Sequence, residues 1–429
     1  MTGGSLPAFR ALRTPAGDRL LDAADPAEID ADPLAVATRL RSRPLPGEDD
    51  LEVPRADLVA AALTQARLRG RAARKFGPRA ARMYFTPAGL EQATRRSVAD
   101  HRAARIAAAL PRGARVADLC CGIGADLVAL AEAGLTVEGV DRDPFTVAVA
   151  EANIEALGLS GSARVREGDA ALGRGDYDAV FCDPARRGAR GRIFDPHAYS
   201  PPWAAVVDIA QSAPAACVKA APGIPHDLVP EGADAEWVSV GGDVKEAALW
   251  FGSLAGSGRR ATLLPAESGE RAGAPPATLT ADPGLGAPEV RAPGRYLYEP
   301  DGAVIRAHLV AEAAAEVDGG LLDPRIAYIT SDTLVGTPFS RAYAIEETAP
   351  FSLKRLRAAV RARQAGNVTI KKRGSAVDVE KLRRDLRPAG PDSVVVVLTR
   401  IAERPVYLLC SEVTGPQGRS PADAGEPGD

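Results

Sequence analysis

The segment Val116–Gly124 (VADLCCGIG) constrains the fold more than any other part of this 429-residue chain. Its first residues predict a short buried strand, its glycines predict a tight turn, and a helix is predicted from about Asp126 to Ala133. Aspartates then follow three further predicted strands, at Asp141, Asp169 and Asp183. This alternation predicts a doubly wound α/β sheet, a fold that binds its ligands at the carboxyl ends of its strands.

Length and composition limit the classes of protein to which this chain can belong. A single core rarely extends beyond about 300 residues, so we expect two or three domains. The formal net charge of −3 predicts no strong overall attraction to nucleic acids, which leaves local basic patches for such contacts. The five cysteines form no CxxC pair and the four histidines form no cluster, so we expect no metal site.

The same features favour a cytoplasmic protein. A few scattered cysteines suit a reducing compartment. The first residues do not resemble a signal peptide, and no apolar run approaches the roughly 20 residues of a membrane span. We therefore expect a cytoplasmic location and no membrane contact.

Patterns along the chain predict five segments. They are an N-terminal helical region (1–112), the α/β domain (113–265), a Gly/Pro/Ala-rich linker (266–290), an α+β domain (291–412) and a disordered tail (413–429). A capping threonine followed by proline, Thr86-Pro87, predicts one helix that runs to Leu110. The predicted strands of the α/β domain are 115–119, 136–140, 163–167, 178–182, 215–220 and 236–252. The α+β domain has predicted helices at 352–365 and 378–387 and predicted strands at 367–371, 393–400 and 405–410.

The turn after the first strand distinguishes between two classes of nucleoside cofactor. A dinucleotide-binding turn has three glycines in the pattern GxGxxG, but Leu127 occupies the third glycine position here. An acid four residues before the first glycine, Asp118 before Gly122, is instead typical of methyltransferases that use S-adenosylmethionine. That cofactor has no pyrophosphate, so its amino-acid moiety needs a carboxylate and its sulfonium arm needs small residues that let the backbone approach.

We therefore predict S-adenosylmethionine as the cofactor, with binding residues at three strand ends. Asp118 lies near the amino-acid moiety, Asp141 accepts hydrogen bonds from the ribose hydroxyls, and Asp169 accepts one from the adenine amino group. The turn residues that complete the predicted set are Cys120, Gly122 and Gly124. We expect the two adjacent cysteines, Cys120 and Cys121, to be small packing residues rather than redox groups.

The tetrapeptide Asp183-Pro184-Ala185-Arg186 carries the predicted chemistry. It resembles the (Asp/Asn/Ser)-Pro-Pro-(Tyr/Phe/Trp) motif of methyltransferases that act on amino groups. There a side-chain acceptor and a backbone carbonyl bind the target NH₂, so that direct displacement depends mainly on positioning. We predict catalytic roles for Asp183, Pro184 and Arg186, where Arg186 or Arg187 stacks on a base or pairs with a phosphate. The aromatic residues that could replace the missing ring of the motif are Phe194, Tyr199 and Trp203.

The same segment also resembles the DPPR-G motif of RNA uracil-C5 methyltransferases, and Asp118–Gly124 resembles their DL-x-CG-x-G turn. Those enzymes need a nucleophilic cysteine at the end of the next strand. Ala220 occupies that position here, and Cys217 comes three residues too early. The sequence therefore favours direct N- or O-methylation over addition to a pyrimidine ring.

Together these motifs are similar to bacterial class I methyltransferases with a C-terminal THUMP-like domain, whose catalytic part is related to trimethylguanosine synthases. The resemblance covers residues from about 60 to 412. Its remaining motifs are Thr86-Pro87, Val218–Gly223, Glu236–Val240, Tyr298–Gly302, Val304–Arg306 and Ile370–Gly374. It implies a Rossmann-like catalytic domain, a THUMP-like α+β domain and, by analogy with THUMP domains, an RNA substrate. Ala185-Arg186 stands where the cap enzymes have a proline–tryptophan pair.

Local charge gives separate support for RNA. Phe351 to Arg387 contains twelve basic residues and three acids, and Leu63 to Arg82 contains seven basic residues and no acid. The residues predicted to contact RNA are Arg357, Arg361, Lys371, Lys372 and Arg373. A solvated helix face in an arginine-rich protein is the alternative interpretation.

The leading hypothesis is thus an S-adenosylmethionine-dependent methyltransferase that acts on an exocyclic amino group of a purine in structured RNA, such as tRNA or rRNA. Two alternatives stay open. One is a small-molecule or protein methyltransferase, and the other is a catalytically silent RNA-binding protein that retains the cofactor site.

Overall fold

The computed structural model describes residues 5–47, 52–172, 175–186, 199–256, 258–266 and 274–413. The chain divides into two compact units, Met1–Ala233 with Ala248–Gly256, and Asp234–Ala247 with Ser257–Asp429. The helices are α1 Leu6–Leu12, α2 Pro15–Asp22, α3 Pro26–Ala31, α4 Pro33–Ser42, α5 Arg55–Phe76, α6 Pro87–Gln92, α7 Arg96–Ala109, α8 Ala125–Glu132, α9 Pro144–Ala156, α10 Trp203–Ser212, α11 Gly302–Arg306, α12 Val310–Glu316, α13 Leu353–Ala362 and α14 Val379–Leu386. The strands are β1 Arg115–Leu119, β2 Thr136–Asp141, β3 Ala163–Glu167, β4 Ala179–Cys182, β5 Ala185–Arg186, β6 Tyr199–Ser200, β7 Ala215–Ala220, β8 Asp234–Val240, β9 Asp243–Gly252, β10 Arg259–Leu264, β11 Ala277–Thr280, β12 Tyr296–Pro300, β13 Gly320–Asp323, β14 Ile326–Ser331, β15 Ser340–Pro350, β16 Ala365–Lys372, β17 Asp392–Ile401 and β18 Arg404–Glu412.

A parallel sheet forms the centre of the first unit, in the order β7-β4-β1-β2-β3, with β9 beside β7. Strands β1, β4 and β7 are buried along nearly their whole length, as expected of parallel strands covered on both faces. The strand order reverses at β1, because β2 and β3 lie on one side of it and β4 and β7 on the other. This confirms the predicted doubly wound fold. Such folds bind their ligands where the order reverses, which is here at the carboxyl ends of β1 and β4.

The N-terminal helices belong to the same unit and share a core with it. Phe9, Leu58 and Phe85 are buried in a cluster that also contains Ile123 and Val149 of the sheet domain. The hydroxyl of Thr86 accepts a hydrogen bond from the Gly89 N–H at 2.9 Å, which caps the start of α6 as the sequence predicts.

The prediction of a single helix from Thr86 to Leu110 is wrong, because the structure has two helices, α6 and α7, separated by the loop Ala93–Arg95. The ammonium of Lys75 explains the break. It donates hydrogen bonds to the carbonyls of Leu90, Glu91 and Ala93 at 2.7, 2.7 and 3.0 Å. These carbonyls at the end of α6 therefore need no continuing helix to satisfy them.

The second unit contains strands in two regions. Near its start, β10 pairs in parallel with β8 and antiparallel with β11. One strand was expected at 236–252, but a Gly241-Gly242 turn separates β8 from β9. The predicted linker, 266–290, contains β11, whose four residues are too few to show a periodic pattern in the sequence.

The rest of this unit is a seven-stranded sheet in the order β13-β14-β12-β15-β18-β17-β16. Helices α13 and α14 cover one face of the sheet. Their buried leucines and valine pack on Val394 and Val396 of β17; these helix residues are Leu356, Val360, Leu382 and Leu386. Val395 and Val397 of β17 face the opposite side, in a second core with tyrosines and leucines. A run of four valines is therefore buried on both faces of the sheet.

Candidate active site

The polar ends of β1, β2 and β4 meet at the place where the strand order reverses. The carbonyl of Leu119 accepts a hydrogen bond from the Asp183 N–H at 3.2 Å, so the loops that follow β1 and β4 lie together. The carbonyl of Val140 accepts hydrogen bonds from the N–H groups of Cys120 and Cys121 at 2.9 and 3.1 Å, which joins the turn to β2. The predicted residues at these three strand ends therefore lie together at one edge of the sheet.

Asp118 lies in β1 with only 1% of its surface exposed. Neither of its carboxylate oxygens makes a hydrogen bond with the described part of the chain. Burial, and then the nearby carboxylates of Asp126 and Asp183, raise the pKa of Asp118 well above its ordinary value. A buried carboxyl group without a partner is costly unless a ligand supplies one, so this residue fits the cationic amino group of S-adenosylmethionine.

The turn between β1 and α8 is built so that a ligand can approach its backbone. Gly122 and Gly124 have φ angles of 55° and 85°, a conformation that favours glycine. A Cβ atom placed on Gly122 would meet nothing within 4 Å, so this part of the turn borders open space. Cys120 also has a positive φ, of 65°, and its side chain is half-buried.

Asp141 ends β2 and anchors the turn. One carboxylate oxygen accepts a hydrogen bond from the Gly122 N–H at 3.1 Å and the other accepts one from the Asp143 N–H at 3.0 Å. Each oxygen has a second lone pair, so the group can still accept hydrogen bonds from two ribose hydroxyls. Asp169 is exposed, and its loop is tied to the end of β2 by a 2.9 Å hydrogen bond from the Gly168 N–H to the Asp141 carbonyl.

A buried ion pair, which the sequence analysis missed, lies beside Asp118. The guanidinium of Arg102 in α7 pairs with the Asp126 carboxylate at the start of α8, and their side chains are 2% and 8% exposed. The same guanidinium lies 4.4 Å from the ring centre of Phe181 in β4. The pair joins α7, α8 and β4 next to Asp118.

Asp183 follows β4 directly, and its Oδ2 atom accepts a hydrogen bond from the Lys219 ammonium at 2.6 Å. Lys219 lies in β7, the strand beside β4. Lys219 belongs to the family motif Val218–Gly223, and a charged residue in an otherwise apolar strand signals a specific partner. Pro184 is buried.

The backbone of Arg186 lies in β5, which pairs with β6 so that Arg186 is opposite Tyr199. The side chain of Arg186, together with Arg187 and Phe194, lies outside the described residues. Tyr199 and Trp203 are both half-buried, and their ring centres are 5.6 Å apart. These two rings lie close to Asp183 in sequence and stay candidates for the platform that holds a base.

Cys217 lies inside β7 and is fully buried, whereas Ala220 ends that strand. Cys217 therefore does not lie at the strand end, which is where the uracil-C5 enzymes need their nucleophile. Among the described residues, no three side chains form a group that could hold a metal ion. None of the helices in the described ranges is long and apolar enough to cross a bilayer.

Three family models match parts of the chain. They are a domain of unknown function over residues 5–72, the methyltransferase small domain over residues 97–192, and the THUMP domain-like family over residues 340–412. An uncharacterised S-adenosylmethionine-dependent methyltransferase of Mycobacterium tuberculosis H37Rv is 38% identical over 352 residues, which are 78% of this chain and 90% of the relative. The chain belongs to the S-adenosylmethionine-dependent methyltransferases.

Two further proteins are similar to this methyltransferase, one over nearly the whole chain and the other over 85 residues. The crystal structure of a methyltransferase candidate from Porphyromonas gingivalis W83 has 20% identity and a TM-score of 0.71, and the match covers 92% of this chain and 98% of that one. It shows the same fold. The 23S rRNA (uracil(1939)-C(5))-methyltransferase RlmD of Nitrosospira multiformis is 35% identical over 85 residues, which are 18% of this chain and 19% of that protein.

The residues predicted to bind RNA fall into two groups in this methyltransferase. Lys371 and Arg373 surround the carboxylate of Glu299, at 2.6 and 3.6 Å. The ammonium of Lys372 instead lies on the opposite face of β16 and donates a hydrogen bond to the Val377 carbonyl at 2.8 Å. Two of the three adjacent cations are therefore paired with Glu299, which the sequence marked only as part of the motif Tyr298–Gly302.

The contact between Glu299 and Lys371 shows that the seven-stranded sheet curls. Strands β12 and β16 are four positions apart in the sheet, and four spacings of about 4.8 Å would separate them by roughly 19 Å if the sheet were flat. Their side chains nevertheless meet on the face that holds Tyr328 and Tyr343. The Lys371–Glu299–Arg373 cluster thus closes the concave face of the sheet.

The other cations form a second surface, on the side away from the sheet. Helices α13 and α14 bury their leucines and valine, so their charged residues point outward. We call this surface the cationic face and define it by Lys354, Arg355, Arg357, Arg361, Lys381 and Arg384, all of which are exposed except the half-buried Arg357.

The second basic stretch of the sequence, Leu63 to Arg82, differs from the cationic face because most of its cations have partners within the protein. Its cations bond mainly within the protein: Arg67 to the Ile29 carbonyl, Arg69 to the Met83 carbonyl, Lys75 to the end of α6, Arg79 to Glu132, and Arg82 to the Ala156 carbonyl. These contacts favour a structural role, so the cationic face is the better candidate for a phosphate surface.

Proposed function

We propose that this methyltransferase modifies structured RNA in the cytoplasm, at an exocyclic amino group of a purine, by direct displacement. The observation that carries the proposal is the joining of two features in one chain. One is a cofactor crevice with Asp183-Pro184 at its edge, and the other is the cationic face on α13 and α14.

The cofactor residues follow from the geometry of the crevice. S-adenosylmethionine supplies a methyl group activated on a sulfonium. Asp118 would bind its amino group, because this carboxyl group is buried and has no partner in the described protein. Gly122 leaves open space for the chain of the cofactor and Gly124 completes the turn, while Asp141 and Asp169 accept hydrogen bonds from its ribose and adenine.

The target group would bind at the end of β4. The carboxylate of Asp183 and the carbonyl of Pro184 accept hydrogen bonds from an NH₂ group, which aims the nitrogen lone pair at the methyl carbon. Tyr199 and Trp203 stack on the base, and Arg186 contributes a cation for the base or a phosphate. No step requires a strong base or a nucleophilic thiol.

Direct measurement of the product tests this proposal. The protein is incubated with labelled S-adenosylmethionine and RNA from cells that lack it, and the nucleosides are then separated by mass spectrometry. We expect label in an N-methylated purine. Label in proteins or small metabolites of the same extract, with none in RNA, would support the alternative substrates, and no transfer to any fraction would support a silent RNA-binding protein.

Charge reversal on the cationic face should weaken RNA binding. We expect the variant Arg355→Glu/Arg361→Glu/Arg384→Glu to bind structured RNA at least about tenfold more weakly at low salt. The slope of log affinity against log salt should become shallower by about 2 to 3, at roughly 0.7 to 0.9 per lost phosphate contact. Filter binding at several salt concentrations measures both quantities.

The matched control is Arg10→Glu/Arg41→Glu/Arg112→Glu, which makes the same change of charge at exposed positions of the first unit that lie outside both basic stretches. Its affinity and salt slope should stay close to those of the unaltered protein. If both triple variants had the same RNA affinity and salt slope, the cationic face would not be an RNA-binding surface. Reversal of Lys371 and Arg373 is a poorer test, because it would place three acids together around Glu299 and disrupt the sheet.

A further inference from the structure

Lys219 connects the catalytic edge of the sheet to the N-terminal helices. Its ammonium donates hydrogen bonds to Asp183 Oδ2 at 2.6 Å and to the Thr94 hydroxyl at 2.9 Å. The Lys219 side chain is 16% exposed and Asp183 is 32% exposed, so this pair lies in a partly desolvated position. Thr94 is 5% exposed. A lysine buried to this degree requires such partners, because a desolvated ammonium without them is strongly unfavourable.

The break between α6 and α7 places Thr94 at this position. Lys75 of α5 fixes the start of the loop Ala93–Arg95, because its ammonium donates three hydrogen bonds to carbonyls at the end of α6. The Arg95 side chain also bonds to the Arg74 carbonyl of α5. Burial, followed by the nearby Lys219 ammonium, lowers the pKa of Lys75 to about 8, which agrees with two lysines close together beneath the loop.

These contacts restrict the orientation of the Asp183 carboxylate. One oxygen, Oδ2, is held by Lys219, and within the described residues the other oxygen makes no hydrogen bond. A carboxylate held at one oxygen cannot rotate freely, so its second oxygen keeps a fixed direction. Such fixed direction matters for a direct displacement, because an error of about 1 Å in positioning can cost roughly 100-fold in rate.

We propose that Lys219 is a positioning residue for methyl transfer: supported by Thr94, it holds Asp183 so that the free carboxylate oxygen can bind the target group. This inference rests on the proposed role of Asp183. It extends that role to a residue of β7 and to the loop between α6 and α7, and it gives the N-terminal helices a part in the reaction.

Kinetic measurements on three variants test the inference. Lys219→Met should lower kcat on RNA by about 30-fold while the KM for RNA and the Kd for S-adenosylmethionine change less than threefold. Lys219→Arg retains a cation and should recover most of the lost rate. Lys245→Met is the control, because Lys245 is a half-buried strand lysine paired with Asp243 at 3.3 Å in the other unit, and it should leave kcat unchanged.

Two results would overturn the inference. One is a wild-type kcat in Lys219→Met. The other is a loss that Lys219→Arg does not recover and that comes with a lower melting temperature and weaker cofactor binding, which is the behaviour of a scaffold residue.

Chemical labelling of the Asp183 carboxyl group tests the role of Lys219 without any measurement of methyl transfer. Carbodiimide coupling of an amine to Asp183, followed by mass spectrometry, should be faster in Lys219→Met than in wild type or Lys245→Met. An unchanged labelling rate would show that Lys219 does not hold Asp183. If the wild-type protein methylates no RNA, the proposed function fails, while the labelling result still decides whether Lys219 holds this carboxylate.

Discussion

Replacement of Asp118 by asparagine should weaken the binding of S-adenosylmethionine by about 100-fold, since loss of one partner of a buried charge pair costs about 2–5 kcal/mol. The same variant should unfold at a higher temperature than wild type when no cofactor is present. In the free protein this carboxyl group is buried without a partner, whereas asparagine carries no charge to desolvate. Calorimetric titration and thermal unfolding measure the two effects, which have opposite signs.

Dependence on pH gives a second measure of Asp118. Because its pKa is raised, the folded protein keeps this proton at pH values where the unfolded chain, with a pKa near 3.8, has lost it. The free energy of unfolding of the ligand-free protein should therefore fall as pH rises above 3.8, until the raised pKa is passed. Asp118→Asn should lack this component. Binding of a cationic amino group favours the ionised form, so cofactor binding should release a proton, which calorimetry in buffers of different ionisation enthalpy detects.

The control for Asp118 is Asp143→Asn. Asp143 is exposed and caps α9, a role that asparagine also performs, and the substitution removes the same charge. Its cofactor affinity should change less than about twofold, within the usual range for a surface substitution. Equal affinities of wild type and Asp118→Asn would show that this carboxyl group does not face the cofactor.

Replacement of Asp183 by alanine should lower methyl transfer by at least about 1000-fold, while S-adenosylmethionine binds within about threefold of wild type. In the proposed reaction this side chain positions the target group and does not bind the cofactor, so its loss should affect the rate more than the cofactor affinity. Single-turnover assays with labelled cofactor measure the rate, and calorimetry measures the affinity.

Asp183→Asn tests whether the second carboxylate oxygen is needed. Asparagine has a single oxygen, which the Lys219 ammonium would take, so its NH₂ would face the target group and we expect a loss close to that of Asp183→Ala. A rate within about tenfold of wild type would contradict the role of the second oxygen as the acceptor for the target group. A wild-type rate in Asp183→Ala would place the catalytic site elsewhere.

The sequence predicted the catalytic sheet well because its signals are local. Strands β1, β2 and β4 are short apolar runs that end at polar residues, so their bounds and the positions of Asp118, Asp141 and Asp183 could be read directly. The break between α6 and α7 could not be predicted in this way. It depends on Lys75, which lies 15 to 18 residues from the carbonyls that it binds.

Contacts between distant residues account for the other differences. Glu299 lies 72 residues from Lys371 in sequence, and only the curl of the sheet brings them together. The sequence therefore predicted that the cation cluster at 371–373 contacts RNA, although two of its members are paired with this acid. Lys219 did carry a local signal, as a charged residue in an apolar strand, but its partner Asp183 became evident only from the neighbouring strand.

The curl of the seven-stranded sheet also bears on which part of the chain can fold by itself. The THUMP domain-like match begins at residue 340, so it includes β15 to β18 but not β12, β13 or β14. A fragment cut at that point would leave β15 with an unpaired edge and Lys371 and Arg373 without their acid. Exposed strand edges promote aggregation. An autonomous THUMP-like fragment of this protein therefore has to begin before Tyr296, well upstream of the recognisable family sequence.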